Sequence, residues 1–291
     1  EMKKRILSVA LVLSFSLTFA QGKKIIIKEG WSKKGKVTLL FSQFGFSNWI
    51  TGGENNVAGN LGLDYDFNYA KKNTTWDTKA LASYGLTKTK NGEFAKKTDD
   101  RFELNSVVGI KASKNWYYSA FFNFKTQFSK GYIYKKDDNG KEIRIEHTNF
   151  LSPAELSLGP GMQWKKSNEL KFNIAPATSK LIIVDKNFTL PNNAYFGVEE
   201  GKGTKFELGF SAAGFAKFEI VENVTMENIL ILFSDYLENP QNVDIDYTMN
   251  ILMKVNSHLS TNFTFQTVYD NNSYRGFQIR EVFGAGFNYK F

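Results

Sequence analysis

The amino-acid sequence predicts an all-β fold, a transmembrane antiparallel up-and-down β-barrel of about twelve strands. Three observations predict it: apolar and polar residues alternate along most of the chain, short and long connections alternate between these segments, and the last segment is rich in aromatic residues. Alternation with a period of two places neighbouring side chains on opposite faces of a strand. The predicted sheet therefore has one apolar face and one polar face.

Composition limits the classes of protein that this chain can represent. The 291 residues include 27 Phe, 13 Tyr and no Cys, and the formal net charge is +8. Without cysteine, a disulfide scaffold, thiolate catalysis and thiolate-bound metals are excluded. The lysines are spread through predicted turns, loops and strands instead of one face, so we expect anionic lipid headgroups as their partner and no nucleic acid.

The first twenty residues have the pattern of a secretory signal peptide. A basic start at Lys3–Arg5 precedes the apolar run Ile6–Phe19, and Ala20 supplies a small residue at the expected cleavage site. The run is shorter than the ~20 residues that a membrane-spanning helix needs. We therefore predict a cleaved signal peptide at 1–20.

The remaining chain divides into a short periplasmic lead-in at 21–36 and a barrel at 37–291. Leu61–Tyr69 shows the alternation well, with Leu, Leu, Tyr, Phe and Tyr separated by Gly, Asp, Asp and Asn. The predicted strands are 37–49, 57–69, 75–88, 101–111, 116–128, 153–164, 168–178, 203–220, 223–236, 243–254, 258–269 and 276–291. Asn228 and Ser234 fall among apolar positions, which predicts a bulge in 223–236.

The lengths of the connections favour an outer-membrane barrel over a soluble one. Those near 71–74, 112–115, 165–168, 221–223 and 256–258 are short, whereas those at 88–100, 129–149 and 179–202 are long. Short turns at one end and long loops at the other are typical of bacterial outer-membrane barrels. Trp76, Trp116 and Trp164 each adjoin a short turn, which predicts an aromatic girdle at the periplasmic membrane interface.

The C-terminal segment has the pattern of an outer-membrane assembly signal. Phe283, Ala285, Phe287, Tyr289 and Phe291 alternate with smaller or polar residues. Its Gly286, Tyr289 and Phe291 resemble the terminal recognition strand of outer-membrane proteins. The resemblance implies recognition by the barrel-assembly machinery and insertion into the outer-membrane lipid of a Gram-negative bacterium.

A second resemblance rests on the segment Phe46–Asn56, whose sequence is F-S-N-W-I-T-G-G-E-N-N. With Phe233–Tyr236, Val243–Asp246 and the C-terminal strand, it resembles an uncharacterised β-barrel family of Bacteroidota that is known only as a domain of unknown function. The resemblance spans roughly residues 31 to 291 and implies an outer-membrane location. It supplies no catalytic residues.

Within that segment we select a candidate binding or gating loop. Its residues are Asn48, Trp49, Gly52, Gly53, Glu54 and Asn55. The two glycines permit positive φ angles, and asparagine tolerates left-handed geometry. A purely structural turn that fixes the first hairpin is the favoured alternative.

Charged residues at inward positions form the second candidate site. The lumen charges are Asp64, Asp66, Lys125, Glu207, Lys217, Asp246 and Arg280. Because both signs are present, we expect them to pair across the interior and to narrow it. Twelve strands lie between the small filled barrels and the wide porins, so a narrow channel stays open as an alternative.

Catalytic and metal sites receive weak support. His147 lies near Ser152 in the longest loop, and Asp244 and Asp246 are two residues apart on one strand. A nucleophile needs its base within hydrogen-bond distance, which the sequence does not indicate here. The acidic run Asp137–Glu142 departs from known calcium loops. We therefore predict no catalytic residues, no metal and no cofactor.

The favoured function is a non-enzymatic barrel that acts as an accessory or structural subunit of an outer-membrane assembly or export complex, in contact with other outer-membrane proteins. The mixed charges and the lack of a separate binding domain motivate it. The first alternative is a narrow channel for small polar solutes. The second is a lipid-modifying hydrolase that uses His147.

Overall fold

A computed structural model describes residues 29–45, 54–190 and 195–291. Twelve antiparallel strands close into a barrel in the order β1-β14-β13-β12-β11-β10-β9-β8-β5-β4-β3-β2. Two further strands, β6 and β7, form a separate hairpin. The predicted fold class is therefore confirmed.

The strands have the following bounds: β1 Gly30–Phe44, β2 Asn56–Lys71, β3 Thr74–Thr89, β4 Lys96–Lys111, β5 Trp116–Thr126, β6 Gly131–Lys136, β7 Glu142–Thr148, β8 Ala154–Lys165, β9 Leu170–Ile183, β10 Thr204–Val221, β11 Val224–Asp235, β12 Val243–Lys254, β13 Leu259–Asp270 and β14 Tyr274–Lys290. A 3₁₀ helix at Lys186–Phe188 follows β9. Among the described residues, no helix is long and apolar enough to cross a membrane.

The barrel begins earlier than the boundary expected at residue 37. Residues 30–36 of β1 pair with Ala70 to Asp64 of β2. Ser32 and Lys34 face the lumen, whereas Lys33 and Gly35 are on the outer face. Because these two outward positions carry no large apolar side chain, the sequence does not show the alternation of apolar and polar residues here. The predicted signal peptide at 1–20 and the first part of the predicted lead-in lie outside the described residues.

β1 and β14 close the barrel. Their pairing runs from Lys36 opposite Lys290 to Phe41 opposite Ala285. The backbone of Phe291 continues it, with Phe291 N donating to Gly35 O at 3.0 Å and Gly35 N donating to Phe291 O at 2.8 Å. The C-terminal segment therefore completes the ring of hydrogen bonds, which removes both sheet edges.

The two ends of the barrel differ in their connections. At one end, here called the short-turn end, the strands are joined by residues 72–73, 112–115, 166–169, 222–223 and 255–258. Lys72 and Asn223 have φ angles of 50° and 65°, as tight two-residue hairpin turns require. At the opposite, long-loop end, most connections are longer, and the one at 127–153 contains β6 and β7. Both chain ends of the barrel, the start of β1 and the end of β14, lie at the short-turn end.

The outer face of the barrel is apolar. Large side chains on this face are strongly exposed, including Ile279 at 65% and Phe283 at 69%. In water, such a surface would be unfavourable by about 25 cal/mol per Å². The outer face therefore matches the lipid-facing surface of an outer-membrane barrel.

Tryptophan residues form the girdle that the sequence predicts at the short-turn end. Trp31 and Trp76 have ring centroids 5.9 Å apart. Trp116 and Trp164 are opposite each other on β5 and β8, and both contact Phe172. Indole rings in this position satisfy an apolar and a polar surrounding at once.

The bulge predicted in 223–236 is wrong, because the irregularity lies in the neighbouring strand. β11 pairs with β12 in unbroken register from Val224 to Ser234, and the register shift lies in β10, between Glu219 and Val221. Asn228 breaks the sequence pattern because it is a polar residue at an outward position, where Tyr247 Oη donates to it at 2.8 Å, and because β11 carries apolar residues on both faces. Isoleucine side chains of β11 face the lumen.

Candidate functional site

The candidate site is the lumen of the barrel. Every predicted lumen charge faces inward in the structure, namely Asp64, Asp66, Lys125, Glu207, Lys217, Asp246 and Arg280. A cavity of 1110 Å³ runs along the lumen from Ser32 and Lys34 at the short-turn end to Asp270 at the long-loop end. This is the size of cavities that hold drug-sized ligands, about 300–1,000 Å³.

An ion pair crosses the lumen in its long-loop half. Lys125 Nζ lies 2.6 Å from Asp246 Oδ2. Their strands, β5 and β12, are almost opposite in the ring. Gln266 Nε2 also donates to Asp246, at 3.0 Å, and Arg280 Nη1 donates to Gln266 Oε1 at 3.3 Å. The side chains of β5, β12, β13 and β14 are thus tied together across the interior.

Two further contacts extend this layer. Arg280 Nη2 lies 2.6 Å from Asp99 Oδ2, which joins β14 to β4. Arg101 forms an ion pair with Glu103, and Asn105 Nδ2 donates to Glu103 at 2.7 Å. Glu103 is only 1% exposed. We call the network of Asp99, Arg101, Glu103, Lys125, Asp246, Gln266 and Arg280 the upper lock.

Beside the upper lock, Lys180 collects two carboxylates. Its Nζ lies 3.2 Å from Glu207 and 3.5 Å from Asp244. Lys205 lies 3.1 Å from Glu207 on the other side. Glu207 is fully buried, so these lysines compensate for the loss of its hydration.

Ion pairs also cross the short-turn half. Lys79 Nζ lies 2.7 Å from Asp64 and 3.9 Å from Glu227, and β3 and β11 are directly opposite in the ring. Asp77 binds Lys165 at 2.7 Å and Lys171 at 3.2 Å. We call these two groups, together with Lys217 at 3.2 Å from Glu227, the lower lock.

Four lysines at the short-turn end differ from all these. Lys34, Lys36, Lys254 and Lys290 point toward the lumen, and within the described part of the chain none forms an ion pair. Lys36 and Lys290 are directly opposite on β1 and β14. Like charges in that arrangement destabilise a sheet. Lys254, Lys36 and Lys217 each repel Lys290.

Between the two locks, one wall of the lumen is apolar. Phe215 is opposite Ile229, and Ala213 is opposite Ile231, on β10 and β11. All four line the cavity. We call them the apolar strip. Such residues are unexpected in a transmembrane barrel, whose interior is usually polar.

The candidate loop is only partly described. Asn48, Trp49, Gly52 and Gly53 lie outside the described residues. Glu54 accepts a hydrogen bond from Asn91 N at 3.2 Å, and Asn55 O accepts one from Lys90 N at 2.8 Å. The end of the loop is therefore held by the β3–β4 connection.

The glycine of the predicted assembly signal has a steric role. A Cβ on Gly286 would lie 2.2 Å from Leu39 O. Only glycine allows β1 and β14 to approach this closely. Tyr289 and Phe291 are both on the outer face, with ring centroids 5.9 Å apart.

The candidate catalytic residues are not brought together. Ser152 Oγ accepts a hydrogen bond from Asp185 N at 2.8 Å, and the ring of His147 packs edge-on against Tyr195. Asp137 accepts backbone hydrogen bonds from Asn139 and Lys141, which is an Asx turn. Among the described residues, no group of three or more His, Asp or Glu side chains is placed to bind a metal.

Sequence reasoning missed three parts of the lumen. Asp99 and Arg101 lie four and two residues before Glu103 on the same strand, so the period of two could have identified them. Lys165 was assigned to a turn, although it ends β8 and is buried. The apolar strip could not be identified because an inward isoleucine and an outward one have the same sequence signal.

Comparisons with known proteins give no function for this chain. Residues 41–132 match the model of a family described as "Protein of unknown function (DUF3078)". No curated protein sequence matches the chain.

Several solved structures are similar in overall shape. The translocator domain of the autotransporter NalP from Neisseria meningitidis is 9% identical, with a TM-score of 0.42 over 99% of this chain and 96% of that chain. An outer-membrane channel from Pseudomonas putida F1 is 9% identical, with a TM-score of 0.40 over 92% and 97%. The β-domain of the Bordetella autotransporter BrkA is 11% identical, with a TM-score of 0.35 over 90% and 100%. No conclusion about function follows from likenesses at this level.

Proposed function

We propose that this protein is a non-enzymatic, narrow outer-membrane channel for small solutes, closed at rest by ion pairs that cross its lumen. The observation that carries the proposal is the 1110 Å³ cavity, which runs along the lumen and is crossed by the two locks. A barrel with a purely structural role has no need of such a cavity, because side chains can fill a small barrel.

The locks have the chemistry of a reversible closure. An ion pair such as Lys125–Asp246 is held by charge and hydrogen bonds, without an apolar plug. A passing anion can pair with Lys125, and a passing cation can pair with Asp246. The same pair makes closure sensitive to mutation, since the loss of one partner leaves the other buried and alone.

The location follows from the outer face. Exposed apolar side chains cover it, tryptophan residues border the short-turn end, and both barrel termini lie at that end. In outer-membrane barrels that end is periplasmic. We therefore infer that the long-loop end faces the exterior of the cell.

Ion conductance through planar bilayers tests the channel. We expect small, intermittent currents from the wild type and larger, steadier currents from the double variant Lys125→Ala/Asp246→Ala, which opens the upper lock. The matched control is Lys130→Ala/Glu146→Ala, which removes an exposed ion pair of 2.6 Å from the hairpin outside the lumen. No current from either the wild type or the upper-lock variant would contradict the proposal.

A second candidate is the accessory role in an outer-membrane complex. The β6–β7 hairpin supports it, because Ile133, Ile143 and Ile145 are 39–46% exposed on one face of this hairpin. A row of exposed isoleucines outside the barrel is typical of a protein-binding surface. Native mass spectrometry of the complex extracted from its own membrane tests it: a stoichiometric partner that is lost in the Ile133→Ser/Ile145→Ser variant supports this role.

A further inference from the structure

We propose that the lumen binds an anionic amphiphile, a molecule with an apolar chain and a carboxylate or phosphate head. The head would lie beside Lys171 and Lys217, and the chain would lie along the apolar strip. The inference rests on the lumen being the solute path proposed above, and it adds the chemical class of the solute.

The apolar strip supplies the site for the chain. Phe215, Ile229 and Ile231 face a cavity that water can enter, and a ligand chain that covers them removes their apolar surface from water. β11 supplies half of this strip, because its inward positions 229 and 231 carry isoleucine where outer-membrane barrels usually have polar residues. Phe121 of β5 lines the same cavity, and β9 and β8 separate its strand from β10 in the ring.

Two lysines border the strip at its short-turn end. Lys171 is directly opposite Phe215 on β9, with its Nζ 5.6 Å from the ring centroid. Lys217 follows Phe215 by two residues on the same face of β10, is 43% exposed, and lines the cavity. An anionic head between these lysines therefore leaves its chain in contact with Phe215.

Both lysines share their carboxylate with another lysine. Asp77 is bound by Lys165 as well as by Lys171, and Glu227 lies near Lys79 as well as Lys217. An incoming anion can therefore pair with Lys171 or Lys217, because Lys165 and Lys79 still compensate Asp77 and Glu227.

The charges of the whole short-turn end favour an anion. Among the described groups that face or line this end, lysines outnumber carboxylates. The lysines are Lys34, Lys36, Lys79, Lys111, Lys165, Lys166, Lys171, Lys217, Lys254 and Lys290, and the carboxylates are Asp64, Asp66, Asp77, Glu169, Glu219 and Glu227. Such an excess attracts anions and disfavours cationic amphiphiles.

Ligand binding to the full barrel in detergent-free nanodiscs tests the proposal. The probes are laurate, lauryl phosphate, dodecanol and dodecyltrimethylammonium, measured by isothermal titration against empty nanodiscs. We expect laurate or lauryl phosphate to bind at least about tenfold more tightly than dodecanol, as a charge-assisted hydrogen bond allows, and dodecyltrimethylammonium to bind least. A preference between the first two distinguishes a fatty acid from a phosphate-bearing lipid.

Variants separate the two parts of the site. Lys171→Gln/Lys217→Gln should weaken laurate about tenfold and leave dodecanol unchanged, and Ile229→Ser/Ile231→Ser should weaken both. Lys254→Gln/Lys290→Gln is the matched control, since it removes the same charge away from the strip. Equal losses in the two lysine variants would overturn the site, as would equal binding of laurate and the cationic probe.

The conductance experiment and the binding experiment fail independently. A barrel that conducts ions and does not bind laurate overturns the amphiphile site and leaves the channel intact. A barrel that binds laurate through Lys171 and Lys217 and never conducts overturns the channel and supports the site.

Discussion

The two halves of the lumen differ in how completely their charged side chains are paired. In the long-loop half, lumen-facing cations have carboxylate partners, as Lys125 has Asp246 and Arg280 has Asp99. In the short-turn half, the lysines of the lower lock have carboxylate partners too, but Lys36 is directly opposite Lys290, and neither of these two forms an ion pair with a described residue. The first arrangement holds the barrel together across its interior. The second weakens it locally, and it is consistent with a region that receives an anion.

The largest expected effect concerns closure of the barrel in the short-turn half. Gly286→Val places a side chain where even a Cβ would lie 2.2 Å from Leu39 O, so β1 and β14 cannot pair. We expect no folded barrel, measured as loss of the heat-sensitive mobility shift on gel electrophoresis. Gly284→Ala is the control, since a Cβ there meets Leu40 at an ordinary 3.4 Å. Normal folding of the Gly286→Val variant would contradict this, because it would show that β1 and β14 can move apart and still pair.

The next effect concerns the upper lock in the long-loop half. Asp246→Ala leaves Lys125 without its partner at the centre of the upper lock. Removing one member of a buried ion pair costs about 3–5 kcal/mol, and the partial exposure of this pair places it near the lower value. Urea unfolding in lipid vesicles measures it. If Lys125→Ala/Asp246→Ala is as unstable as the single variant, the loss is not due to the uncompensated lysine.

A smaller effect of opposite sign is expected at the opposed lysines of the short-turn half. Lys290→Glu turns the like-charge pair with Lys36 into an attractive one, which should stabilise the barrel by about 0.2–1 kcal/mol. It should also reduce the preference of the channel for anions, measured as a reversal potential in a salt gradient. Lys114→Glu, in a short turn outside the lumen, is the control. A destabilised Lys290 variant would mean that the lysine pair is not repulsive.

The smallest effect lies outside both halves, in the β6–β7 hairpin. A hydrogen bond from Lys96 lowers the pKa of Glu142 below its ordinary value of 4.5. A depressed carboxyl pKa stabilises the hairpin above the ordinary value, and this contribution is lost as the pH falls through the folded-state pKa. We therefore expect proteolysis at Asp137–Lys141 to increase in the wild type as the pH falls below the ordinary value of 4.5. In Lys96→Gln this pH dependence should disappear; if it persists, another group anchors the hairpin.

Local patterns in the sequence predicted most of the fold. The strands from Asn56 to Thr89 follow the period of two closely, because lipid on one side and charge on the other impose it at each residue. The predicted start of β1 was late because Lys33 and Gly35 occupy its outer face near the membrane edge. The bulge near Asn228 was misplaced because a strand with apolar residues on both faces looks, in sequence, like a strand that has lost its phase.

The sequence by itself determined that this chain forms about twelve antiparallel strands, each with an apolar and a polar face, since these features depend on neighbours along the chain. It also determined that charges of both signs face inward. Only the tertiary structure decided which charges meet. Lys125 and Asp246 are 121 residues apart and contact each other because the closed ring places their strands on nearly opposite sides of the lumen. The apolar strip likewise depends on the alignment of β10 with β11. The opposition of Lys36 and Lys290 depends on the alignment of β1 with β14. Register and closure are properties of strand pairs, and one strand's sequence does not contain them.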